Sequence, residues 1–272
     1  MSAKSLRYVY HDDRYGFLWI SEDGSKKITE FLTRRGFKEI DTGDLTTIMA
    51  DGVKTPDADI IVVFSHDIIP DKILDNPSSP SPNSLFRRFL DVGHTIIWLG
   101  DVPAFYVGFP DKSTKRLSQP QTITRLIGIE PPTRADDRLV LVKPTLWGLL
   151  LGVKPWMGKR PHRIKVSPGV NLIPLAVSRE GMHGYVYSPT PLASALSGIV
   201  RLYDFPITSD TLSDEMLESI LNIAVRKSLW DNVITLNRCF DTLRTEVDEK
   251  LGEKLDRILE EIKKLKSSNQ AL

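Results

Sequence analysis

Asp59-Ile-Ile-Val-Val-Phe-Ser65 and Thr95-Ile-Ile-Trp-Leu-Gly100 are two unbroken apolar runs rich in β-branched residues. A strand with one wet face alternates apolar and polar residues. A continuous run instead reads as a strand covered on both faces, as in a parallel sheet. Between the two runs, Ser84–Leu90 has helical spacing, with Ser84 placed as an N-cap and Gly93 as a stop. Upstream, Leu6–Tyr10 reads as a short strand and Lys26–Arg35 as an amphipathic helix ended by Gly36. Lys38–Asp41 reads as a second strand, followed by a short helical or loop segment. Strands alternating with helices in units of roughly 30 residues imply right-handed crossovers and a doubly wound, mostly parallel α/β sheet.

Downstream the pattern changes. Asn76–Asn83 is rich in proline and serine and reads as an exposed loop. Across residues 103–168 the periodicity weakens into an insertion or lid-like region. Within it Thr122–Ile127 looks helical, Leu139–Val142 extended, and Leu146–Leu151 helical or buried. Leu172–Val177 and Gly184–Tyr187 read as strands flanking Arg179-Glu-Gly-Met182, and Gly198–Tyr203 as a returning strand. Ser213–Lys227 reads as a helix capped by Ser213. The expected division is an α/β domain over 1–230 and a C-terminal helical arm over 231–272. In that arm Leu236, Phe240, Leu243, Val247, Leu251, Leu255, Ile258, Ile262 and Leu265 recur at a mean step of about 3.6 residues, between the heptad and eleven-residue repeats. Such a stripe must pack on something: its own domain, a second copy in a coiled coil, or another protein. A homo-oligomer built through this helix is the expected state.

Composition narrows the class. A formal net charge of +1 argues against a protein dedicated to nucleic acid or to membrane surfaces. The longest apolar run, around Leu146–Val153, is far short of the ~20 residues that span a bilayer. Met1–Tyr10 lacks the apolar block of a signal peptide. The single cysteine, Cys239, excludes an internal disulfide and fits a reducing, cytoplasmic compartment.

In an open parallel sheet, ligands bind beyond the carboxyl ends of the strands. The expected strand ends here deliver His11, Asp12 and Asp13, then Ser65, His66 and Asp67, then Asp101, with Tyr106 just downstream. Two histidines and several carboxylates could form a metal site or an acid–base pair. The competing explanation is that these aspartates cap turns and helix starts. A basic segment, with Lys154, Trp156, Lys159, Arg160, Arg163 and Lys165, could hold phosphates or a nucleic-acid strand with Trp156 as the stacking surface. A solvated face is the more usual explanation of such a segment. Nothing in the sequence names a cofactor or a particular metal. Gly-x-Ser-x-Gly elbows, phosphate loops, dinucleotide fingerprints and His-Glu-x-x-His are all absent from the sequence.

The segments Ala58–Pro70, Ser84–Gly108 and Gly198–Pro206 together resemble the class I glutamine amidotransferase-like superfamily, particularly its ThuA-like and other non-amidotransferase branches. That resemblance spans roughly 5–227 and implies a flavodoxin-like doubly wound sheet. Active members carry a cysteine in a Gly-x-Cys-x-Gly elbow after the strand corresponding to Thr95–Gly100. This sequence has Leu99-Gly100-Asp101-Val102-Pro103 there, and an aspartate cannot form the thioester with glutamine. The missing nucleophile, together with the long terminal helix, points to a non-catalytic, oligomeric module of this kind that binds a small ligand or protein partner. A metal-assisted hydrolase at the His/Asp cleft and a nucleic-acid-associated factor using 154–165 are the alternatives.

Overall fold

The computed structural model describes residues 5–117, 120–128, 138–162, 171–188, 198–225, 245–254, 256–257 and 260. The first strands are β1 (Ser5–Tyr10), β2 (Lys38–Ile40), β3 (Asp59–Phe64), β4 (Ile69–Pro70), β5 (Thr95–Leu99) and β6 (Tyr106–Gly108). They are followed by β7 (Thr114–Arg116), β8 (Val140–Pro144), β9 (Trp156–Gly158), β10 (Asn171–Ser178), β11 (Gly181–Ser188) and β12 (Gly198–Leu202). The helices are α1 (Glu22–Thr33), α2 (Thr42–Lys54), α3 (Leu85–Asp91), α4 (Pro120–Ile127), α5 (Leu146–Leu150) and α6 (Asp214–Val225).

The two apolar runs become β3 and β5, hydrogen-bonded neighbours in the middle of a sheet ordered β2-β1-β3-β5-β12-β11-β10-β8-β9. The first five strands pair in parallel. Beyond β12 every neighbour is antiparallel. The sheet is therefore mixed, with a parallel half and an antiparallel half, where the sequence suggests a mostly parallel one. The difference comes from the β10–β11 hairpin and from β8 and β9, which extend the sheet beyond the parallel strands. Residues 103–168 thus contribute two strands to the main sheet. A separate three-stranded sheet joins β4, β6 and β7.

Both faces of the parallel half are covered, which is why its central strands need no polar alternation. Tyr10, Val62, Phe64, Ile96, Trp98 and Ile199 share one core with Leu45 and Met49 of α2, Phe86 and Phe89 of α3, and Leu126 of α4. The alternate residues Val9, Ile61, Val63, Ile97 and Leu99 are buried too, outside that core. Here α1 lies on β1 and beside α6. Arg35 reaches Glu218 at 2.6 Å, and Lys27 donates to the Ser209 and Leu212 carbonyls at 2.8 and 2.7 Å.

Local capping follows the sequence with one exception. Ser21, Asp41, Thr145 and Ser213 each accept an amide from the first turn of the helix they precede. Ser84 instead donates to Asp75 at 2.5 Å and leaves α3 without a side-chain cap. The segment after β2 is a full helix, α2, because Leu45 and Met49 present one buried stripe.

The chain divides into two compact units, Met1–Lys227 and Ser228–Leu272. In the second, residues 245–254 are helical, with Val247 and Leu251 at 53% and 60% exposure. Leu236, Phe240, Leu243, Leu255, Ile258, Ile262 and Leu265, and Cys239 with them, lie outside the described residues. Among the described residues, no helix is long and apolar enough to cross a membrane.

Candidate functional site at the carboxyl edge of the sheet

Parallel pairing sets four strand ends side by side. The register Tyr10↔Phe64, Phe64↔Trp98 and Leu99↔Leu202 brings the residues after β1, β3, β5 and β12 to one edge. His11 and Asp12, Ser65 to Asp67, Gly100 and Asp101, and Tyr203 and Asp204 therefore line a single margin. The order of the parallel strands reverses between β1 and β3, and the crevice at such a reversal is where α/β sheets bind ligands.

At the β1–β3 end, polar groups converge, but most of their capacity is consumed internally. Asp12 accepts Arg14 through its amide, Nε and Nη2 at 3.1, 2.8 and 2.7 Å, and the Thr42 amide at 3.0 Å. Burial opposes its ionisation, yet the Arg14 and Thr42 hydrogen bonds outweigh burial and hold the carboxyl well below the usual range. The Asp12 amide donates to His66 Nε2 at 3.0 Å, so that nitrogen is unprotonated and Nδ1 carries the hydrogen. Full burial, with His11 nearby, pushes His66 down to about 3, so its ring is neutral. Phe17 stacks on that ring at 4.6 Å between centroids. His11 Nδ1 lies 2.8 Å from Ser25 Oγ, which lies 2.8 Å from Ser65 Oγ, and Ser65 donates to the Tyr10 carbonyl at 2.7 Å. His11 Nε2 stands 3.0 Å from the exposed Asp13 carboxylate.

The β3–β5 end holds a pair of buried carboxylates. Asp67 is fully buried and accepts the Trp19 amide at 2.8 Å and the Ile20 amide at 3.4 Å. Burial pushes it up to about 6 against those donors, and the neighbouring Asp101 charge adds to the rise. Asp101 is raised by burial as well, while the Val102 amide and the Arg201 and Arg160 guanidinium groups oppose the rise. The turn carrying Asp101 depends on Gly100 at φ +81°, where a Cβ would stand 3.2 Å from Ile20 Cγ1 and 3.4 Å from Asp67 Cβ. The Val102 amide donates to Asp101 Oδ1 at 2.7 Å, and Arg160 Nε lies 3.7 Å from the same oxygen. Arg160 also lies over the Trp19 ring at 5.0 Å. Tyr106 is half-buried, and burial and then the Asp101 charge push its phenol up.

The β12 end holds a group that sequence reasoning missed. Asp204 is fully buried and accepts the Trp156 indole at 2.8 Å and the Arg160 amide at 2.6 Å. His183 Nδ1 lies 2.7 Å from its Oδ2, and Arg201 Nη2 lies 4.0 Å away. Burial works against the Asp204 charge, but the His183 bond and Arg201 prevail and hold its pKa low. The strand-end rule that points to Asp101 points equally to Asp204. No local signal marks His183, which the antiparallel half brings in.

The basic segment divides. Lys154 is exposed, Lys159 and Arg160 are half-buried, and Arg163 and Lys165 lie outside the described residues. Trp156 is buried at 4% exposure with its indole turned to Asp204, which leaves no stacking surface for a base. Among the described residues, no three His, Cys, Asp or Glu side chains converge to hold a metal ion.

Fold and site together define a mixed α/β protein whose buried charged groups gather at the carboxyl edge of a parallel half-sheet. Residues 5–227 match the family model described as the MJECL34 family, and the chain belongs to that family. It is 32% identical over 279 residues to "Uncharacterized protein MJECL34" of Methanocaldococcus jannaschii, an alignment covering 98% of this chain and 90% of that relative.

Proposed function

We propose that the chain is a module related to the class I glutamine amidotransferase-like superfamily, on its ThuA-like side, in which the elbow after β5 no longer transfers acyl groups. It serves a regulatory or assembly role as an oligomer and binds a small ligand or protein partner along the strand-end edge. The order of the parallel strands, two-one-three-four-five when renumbered within that half, supports a flavodoxin-like doubly wound reading.

The observation that carries the proposal is the Val102 amide bound to Asp101 Oδ1 at 2.7 Å. In a nucleophile elbow, the amide after the nucleophile stabilises the developing oxyanion. Here an aspartate stands at the nucleophile position and its own carboxylate takes that amide, so both functions are missing together. The metal-assisted hydrolase reading draws less support, because Asp12 and His66 Nε2 already accept internal donors. The nucleic-acid reading draws less support because Trp156 faces inward. The exposed Val247 and Leu251 support assembly through the C-terminal helix.

Two measurements test the proposal. The wild type releases no ammonia from glutamine, and light scattering finds an oligomer that becomes a folded monomer when the chain ends at Lys227. Glutaminase turnover, or a full-length chain that is monomeric, overturns it.

A further inference from the structure

The string Asp204–His183–Ser178 lies at the same sheet edge but is built largely by the antiparallel half, and its chemistry is independent of the amidotransferase-like reading. His183 Nδ1 is 2.7 Å from Asp204 Oδ2, and its Nε2 is 3.0 Å from Ser178 Oγ. With Asp204 ionised, the proton sits on Nδ1 and Nε2 becomes an acceptor, so the Ser178 hydroxyl donates to it. The Glu180 amide donates to Ser178 Oγ at 3.0 Å and holds that oxygen in place. A buried carboxylate that orients an imidazole, which in turn accepts from a serine hydroxyl, is the geometry by which such triads are recognised on unrelated folds.

Three further features distinguish the string from an ordinary turn contact. The β10–β11 register passes from Ala176↔Gly184 to Val177↔Met182, so His183 is the extra residue of a bulge. A bulge re-aims a side chain, here the imidazole. Next, β9 lies directly on the Asp204–His183 bond: a Cβ at Gly158 would stand 2.4 Å from Asp204 Oδ1 and 2.6 Å from His183 Nδ1. That close backbone keeps water off the bond while Ser178 stays half-buried. Finally, Ser178 lines a cavity of about 770 Å³ with Leu139, Leu141, Arg138, Lys143, Arg179 and Glu180. Apolar walls beside three cations and a single carboxylate leave a net positive lining, which suits an acyl group that carries a negative charge.

We propose that Ser178, His183 and Asp204 form a nucleophilic hydrolase site for esters with an anionic acyl group. Ser178 Oγ bonds to the ester carbonyl carbon as its proton passes to His183 Nε2. The carbon–oxygen bond to the alcohol then breaks, and that proton leaves with the alcohol. Water repeats the sequence, giving its proton to His183 Nε2 and its oxygen to the acyl carbon. The acid is released and Ser178 recovers its proton. Asp204 is a positioning residue throughout, and Lys143 and Arg179 hold the acyl anion.

The test uses the full chain with a fluorophosphonate probe, adduct mapping by mass spectrometry, and the p-nitrophenyl esters of acetate and succinate. The wild type forms an adduct on Ser178 and cleaves the succinate ester with the lower KM. Ser178→Ala, with its fold verified by circular dichroism, loses both the adduct and the hydrolysis. His183→Gln slows both by at least about 100-fold, the worth of a general base. Lys143→Ala raises KM for the succinate ester and leaves the acetate ester unchanged. A folded wild type that forms no adduct on Ser178 overturns the proposal, as does hydrolysis that persists in Ser178→Ala. A purely structural string predicts those last two results.

Discussion

Gly158 stands so close to Asp204 that a Cβ there would lie 2.4 Å from Oδ1, nearer than side chains pack. Trp156 and the Arg160 amide also contact that carboxylate, so it has no room to retreat. Gly158→Ala is therefore an overpacking substitution with an expected cost of about 1–3 kcal/mol. Urea denaturation measures it as a lower midpoint at unchanged slope. Gly252→Ala, in a helix and with nothing within 4 Å of the new Cβ, meets no clash and should instead stabilise by up to about 1 kcal/mol.

Arg201 and Asp204 form the second prediction. Arg201 is fully buried, donates from Nη1 to the Arg160 carbonyl at 2.8 Å, and lies 4.0 Å from Asp204 through Nη2. Asp204→Asn removes the carboxylate paired with that buried cation and leaves the Asp101 charge to compensate it in part, with an expected cost of about 3 kcal/mol. Adding Arg201→Met removes the stranded charge, so the double variant is more stable than Asp204→Asn alone. A double-mutant cycle by chemical denaturation reads the coupling, and simple additivity would refute it.

The continuous runs of β3 and β5 announce a parallel core, because covering both faces removes any need for polar alternation. His11, Asp12, His66, Asp67 and Asp101 follow from the strand-end rule, and parallel register does bring them to one edge. Their hydrogen-bond state is not local information. Asp12 is satisfied by an amide thirty residues away on α2, and Asp67 by Trp19 and Ile20. The bulge that aims His183 arises from pairing between strands and leaves no mark in either strand alone. Trp156 illustrates the same limit: among lysines and arginines it reads as a surface aromatic, yet its indole answers a buried carboxylate from β12.

Asp67 carries a pH dependence with a definite sign. Burial raises it from 3.8 to about 6 in the folded chain. A carboxyl with a raised folded pKa contributes stability that is complete below the unfolded value and is lost as pH rises through the folded one. Relative to the non-titrating Asp67→Asn, the wild type should lose about 2 kcal/mol between pH 4 and pH 7. Parallel denaturation curves at those two pH values check it, and a wild-type advantage that grows with pH would contradict the assignment.

Asp12 should show the opposite slope at the neighbouring strand end. Its folded pKa is depressed: burial opposes the charge, but donors from Arg14 and Thr42 prevail. Its contribution is therefore present above the unfolded carboxyl pKa and is lost as pH falls toward the folded one. The Arg14 side chain is 58% exposed, so solvent screens its share of the pairing, and Arg14→Ala should cost less than about 1 kcal/mol. Asp12→Ala also strands the Thr42 amide at the start of α2 and should cost about 2–3 kcal/mol at pH 7. The gap between wild type and Asp12→Ala narrows below about pH 4, over the range where the Asp67→Asn comparison is flat. Thermal unfolding of Asp12→Ala, Asp67→Asn and the wild type across pH 3–7 separates the two carboxylates, because with rising pH the wild type gains on the first variant and loses ground to the second.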